Sequence, residues 1–134
     1  MDEQTQKIVI ECTRASDEER EAFPVIVQKL MSAGVERYHA DLVKNDKTYY
    51  LPDGSYATVP SHAVGALPAQ RFVAEQIEAA VRASQQQQIG YRTFCRRVVE
   101  AGCAGYWVSI AGKRAVYYGR SGETHVELFP QANS

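Results

Sequence analysis

The chain has 134 residues, 45% of them apolar and 23% charged, with a formal net charge of −1. That length supports one domain, or two joined halves sharing one core, and the near-neutral balance gives no global signal for a polyanionic partner. No apolar run approaches the roughly 18 residues of a membrane span, and the start Asp2-Glu3-Gln4-Thr5-Gln6-Lys7 is polar, so a cytoplasmic protein without a membrane partner is expected.

In chain order, residues 8–15 read as a short helix with Ile8, Cys12 and Ala15 on one stripe. Ser16-Asp17-Glu18-Glu19 has the pattern of a capping box, with Ser16 starting the next helix and Glu19 reaching back. That helix places Phe23, Ile26, Val27, Leu30 and Met31 on one face and ends at Gly34. The period then changes from 3.6 to 2. Tyr38, Ala40 and Leu42 alternate with His39, Asp41 and Val43, and Asn45-Asp46 reads as a two-residue hairpin turn. Strands follow at residues 48–51 and 56–59, separated by the turn Pro52-Asp53-Gly54.

Residues 61–67 read as a linker, and Pro68 is expected to open a helix with Phe72, Val73, Ile77, Ala80 and Val81 on its stripe. The next helix buries Tyr91, Phe94, Cys95, Val98 and Val99 and ends at Gly102. Strands then surround Tyr106-Trp107-Val108, Ala115 to Gly119 and Thr124 to Phe129, with the second hairpin turning at Gly112-Lys113-Arg114.

The second series echoes the first at an offset of 68. Ala33-Gly34, Tyr38, Tyr49-Tyr50 and Gly54 fall on Ala101-Gly102, Tyr106, Tyr117-Tyr118 and Gly122, which is six identities in 36 ungapped pairs. Average composition would give about two. The expected architecture is a single domain over residues 1–134, made of two repeats, about 4–60 and 68–129. Each is a helix-helix-β-meander unit. The expected fold class is α+β, a two-layer sandwich with an antiparallel sheet and the helices on one face.

Ala33-Gly34-Val35-Glu36-Arg37-Tyr38-His39-Ala40-Asp41-Leu42, Thr48 to Gly54 and Tyr117 to Glu127 together resemble the YbcV/YdfO-like family of small bacterial and prophage-encoded proteins, often labelled phage envelope protein. The resemblance spans nearly the whole chain. It implies a small α+β fold and assigns no catalytic residue.

Chemistry has few places to reside. Cys12, Cys95 and Cys103 stand in apolar contexts without zinc-ligand spacing, so buried, reduced thiols are expected. No metal site and no cofactor are expected. With Asn45-Asp46 as the turn, Asp41 faces Tyr50, and one sheet face carries His39, Asp41 and Tyr50 and, through the repeat, Trp107, Ser109 and Tyr118. A polar face with a cross-strand Asp41–Tyr50 hydrogen bond is the simplest expectation. His39 beside Asp41 has the composition of a general-base pair. His125 has no counterpart in the first copy, where Ala57 stands, and is included among the candidates; His62, in the linker, is expected to be exposed.

The first reading is thus a non-enzymatic ligand- or protein-binding regulatory module, a reasonable homodimer, using His39, Asp41, Tyr50, Trp107, Tyr118 and His125. The alternative is a small enzyme with His39 as base and Asp41 as its orienter. The third is a nucleic-acid-associated phage factor using Arg92, Arg96 and Arg97, one helical turn of which could touch successive phosphates; nucleic acid is the least favoured partner.

Overall fold

The computed structural model describes residues 1–130. Helix α1 (Glu3–Asp17) starts at Asp2, whose carboxylate accepts the Thr5 N–H at 2.8 Å. It is longer than periodicity predicts and contains Ser16, which is buried in its last turn and caps nothing. Glu19, at φ 58°, stops it. Helix α2 (Phe23–Ser32) has no side-chain cap and begins instead with Pro24 in its first turn. Ile26 and Leu30 are its buried residues; Phe23 and Met31, expected on the same stripe, are exposed.

Strands β1 (Arg37–Asp41), β2 (Asp46–Tyr50) and β3 (Tyr56–Pro60) form the first meander. Helix α3 (Ala74–Gln85) starts six residues after Pro68. Residues before it are drawn out by two hydrogen bonds, Ala69 N–H to the Val99 carbonyl (3.0 Å) and Val73 N–H to the Ala101 carbonyl (2.8 Å). Helix α4 (Tyr91–Glu100) and strands β4 (Cys103–Ser109), β5 (Arg114–Gly119) and β6 (Thr124–Leu128) complete the chain.

The six strands form one antiparallel sheet in the order β3-β2-β1-β4-β5-β6. The fold is α+β, with the helices packed against the sheet on the side where Tyr38, Ala40, Tyr49, Val108, Ala115 and Tyr117 are buried. Leu30, Ile77, Val98 and Val99 meet them from the helices. The element order of the first half recurs in the second. The left-handed residues recur too: Glu19, Gly34, Asn45 and Gly54 are matched by Gln87, Gly102, Lys113 and Gly122, each 68 positions on. No helix among the described residues is long and apolar enough to cross a membrane.

Both hairpins between the first two strands of a meander have four-residue connections. Asp41 pairs with Asp46 and Ser109 pairs with Arg114, so residues 42–45 and 110–113 form the loops. The expected two-residue turn at Asn45-Asp46 is therefore corrected. The Asp41 carboxylate explains the difference: one oxygen accepts the N–H groups of Val43 and Lys44, both at 2.9 Å, and stabilises the longer loop. Ser109 does the same in the second half, accepting the Gly112 N–H at 2.9 Å.

Candidate functional site

Alternation along each strand sends one set of side chains away from the helices. On this open face, Arg37, His39 and Asp41 of β1 lie between Thr48 and Tyr50 of β2 and Trp107 and Ser109 of β4. Five rings form a continuous ladder across it. Tyr56 meets Tyr50 at 6.0 Å between centroids, Tyr50 meets Trp107 at 6.0 Å, Trp107 meets His39 at 4.7 Å, and His39 stacks on Tyr118 at 5.7 Å. The Arg37 guanidinium lies 4.0 Å above the Tyr50 ring and 5.2 Å from Trp107.

A local glycine makes part of this possible. Gly105 pairs with Tyr118, and a Cβ at Gly105 would stand 2.3 Å from the Tyr118 hydroxyl and 2.7 Å from the Ala40 carbonyl oxygen. Tyr118 therefore crosses the β4 backbone and reaches His39, whose Nε2 is hydrogen-bonded to the Tyr118 hydroxyl at 2.6 Å. Partial burial disfavours the imidazolium and lowers the His39 pKa, with Asp41 opposing more weakly; burial likewise pushes the Tyr118 phenol up to about 12. Both groups are neutral at pH 7.

The remaining expectations separate. Asp41 does not face Tyr50; Arg37 does, and the expected Asp41–Tyr50 bond is replaced by the loop contacts already described. His39 takes Tyr118, not Asp41, as its partner. His125 pairs with the inward residue Tyr117 in the β5–β6 register, so it lies on the helix side, with Nε2 2.6 Å from Glu127. His125 thus does not join the other five candidates. Arg92 donates to the Asp17 carbonyl at the end of α1 (2.8 Å), and Arg96 lies 3.8 Å from Glu100. The cysteines are all buried and free, and burial raises Cys95 to about 11 and Cys103 to about 12.

Glu78, His125 and Glu127 bring three ligand atoms within 4.8 Å of one another. Arg82 already supplies the cation there, 2.9 Å from Glu127 and 3.7 Å from Glu78.

A family model matches residues 5–127 of this chain. The chain belongs to the DUF1398 family. That family is described as protein of unknown function, so it names no reaction for the ring ladder. No curated protein matches the chain.

Two features of this DUF1398 chain escape a reading of its sequence. His62 is not exposed: its backbone N–H and its Nδ1 both bond to the Asp17 carboxylate, at 3.0 and 2.9 Å, and its side chain is 6% exposed. The linker closes over α1 and supplies the burial, which no periodic pattern encodes. Lys47 is 3% exposed. It precedes the inward residue Tyr49 by two positions, so extending the strand alternation back from Tyr49 would have placed it inside.

Proposed function

We propose that this protein is a non-enzymatic protein-binding module that docks a second copy of itself through the open face of its sheet. The observation that carries this reading is the ring ladder from Tyr50 through Trp107 and His39 to Tyr118, with Arg37 stacked on it, on the sheet face turned away from the described helices. Tyr, Trp and Arg are the residue types that dominate binding energy at protein interfaces. Asp41, Asp46, Thr58 and Thr124 stand at the edges of this face, and the exposed Val126 and Leu128 extend its apolar part along β6. The cleft lined by Arg82 and His125 and the one lined by Lys47 and Tyr106 include neither Trp107 nor His39.

The acid–base alternative is less well supported. Asp41 is committed to two loop N–H groups, and neutral His39 is bonded to a phenol that stays protonated. The nucleic-acid reading loses Arg92 to the α1 carboxyl end.

Sedimentation across the micromolar range tests the proposal. Wild-type protein is expected to form a dimer that Trp107→Ala and Tyr50→Ala each weaken, and the emission of Trp107, the chain's single tryptophan, should shift to the blue as the dimer forms. A monomer whose emission is independent of concentration, or a dimer indifferent to both substitutions, overturns it.

A further inference from the structure

Lysine is almost never fully buried unless it is paired. Lys47 is buried on the helix side of β2 between Ala40 and Val59, yet among the described residues no carboxylate oxygen lies within 4.0 Å of its Nζ. Its ammonium sits 4.3 Å from the centre of the Tyr91 ring and 5.8 Å from that of Tyr38. The Tyr91 hydroxyl is already engaged by Tyr106 at 2.7 Å. Asp17, which acts on Lys47 through space, is held by His62. Burial lowers the Lys47 pKa accordingly.

Lys47 stands on the inner wall of a cleft of about 760 Å³ between the α1–α2 turn and the α3–α4 turn, a volume in the range of sites for drug-sized ligands. Tyr38, Tyr106 and Tyr117 also line it from the sheet, with Phe94 and Ile26 from the helices. Of its carboxylates, Glu127 is paired with Arg82 and Glu21 with Lys29, while Glu19 lies beside Gly90 at the outer turns.

The two halves differ here. The position matching Lys47 in the second half is Ala115, which pairs with Glu127 on β6 where Lys47 pairs with Val59 on β3. Ala115 is small and lines the same cleft wall. A lysine costs the desolvation of its charge.

We propose that this cleft is a binding site for an aromatic organic anion, whose acidic group pairs with Lys47 Nζ while its rings lie among the tyrosines and Phe94. The ligand's acidic group provides the counter-charge to the ammonium that the protein itself does not supply. This site lies on the opposite side of the sheet from the proposed docking face, so the two stand independently.

Two fluorescent probes test it: anilinonaphthalene sulfonate, and phenylnaphthylamine, which has the same aryl body without the anion. Wild-type protein should prefer the sulfonate by roughly tenfold, the scale of one charged hydrogen bond. Lys47→Met should remove that preference, leave the neutral probe unchanged and raise the thermal midpoint, because an unpaired buried charge is lost. Ala115→Phe should expel both probes. Trp107→Ala should affect neither. Equal affinity of wild type for the two probes overturns the proposal without any variant, as does a sulfonate affinity that survives Lys47→Met or falls with Trp107→Ala.

Discussion

His39 and Trp107 face each other across the β1–β4 seam with ring centroids 4.7 Å apart, and they are also 68 residues apart. The offset that relates the two halves and the register that joins them coincide at this pair. The same offset of 68 separates the residues of the His39–Tyr118 contact from those of the Trp107–Tyr50 contact. It also exposes where the halves diverge: Arg37 covers Tyr50, while its counterpart Gly105 lets Tyr118 lie over the backbone.

His39 makes stability depend on pH. Its folded pKa lies below the ordinary value of 6.5 because burial opposes the cation. Well above pH 6.5 neither the folded nor the unfolded imidazole is charged, and its contribution is fully present. As pH falls below 6.5 the unfolded chain takes up the proton first, and stability is lost until the lowered folded value is passed. Urea melts at stepped pH should show this loss in wild type and a shallower one in His39→Gln.

Gly34 and Gly102 are equivalent, and both have positive φ, +88° and +98°. Alanine at Gly34 meets nothing within 4 Å, so Gly34→Ala should cost about 1 kcal/mol from backbone strain alone. At Gly102 a Cβ would lie 2.3 Å from the Arg71 carbonyl oxygen, where the drawn-out segment before α3 crosses. Gly102→Ala should therefore cost clearly more than Gly34→Ala in chemical denaturation.

Tyr49 and Thr13 form a buried hydrogen bond at 2.8 Å, and the Thr13 hydroxyl also donates to the Val9 carbonyl at 2.8 Å. Thr13 has one proton, so Tyr49 is the donor between the two. Tyr49→Phe leaves no donor without a partner and should cost about 1 kcal/mol, whereas Thr13→Val strands the Tyr49 hydroxyl and should cost about 2 kcal/mol. Denaturation of both variants, and of the pair combined, checks the order.

Leu30 is fully buried on α2, opposite the sheet. Leu30→Ala should lower unfolding free energy by about 3 kcal/mol through lost burial and the cavity left behind. Met31→Ala, one residue further and half exposed, should cost well under half of that in the same denaturation series.

The sheet faces were legible despite a misplaced turn. The loop 42–45 slides β2 against β1 by four residues from the expected register. Side chains alternate with period 2, and an even slip keeps every residue on its side. Tyr50, Trp107 and Tyr118 thus share the open face with His39 as their spacing predicts, while the residue opposite Tyr50 changes from Asp41 to Arg37. His125 was misassigned for the converse reason. Its place in the strand matches Ala57, which pairs with the inward residue Tyr49, so its side follows from alternation once the register of β5 and β6 is known.

By itself the sequence determined the element types, the glycine stops and the shared side of His39, Tyr50, Trp107 and Tyr118, because periods of 3.6 and 2 are local properties of the backbone. Only the tertiary structure decided that β1 meets β4 with His39 against Trp107, that Asp17 captures His62, and that Lys47 is enclosed without a carboxylate. Those are contacts between segments distant in the chain, and their register and burial depend on how the helices and the sheet close on one core.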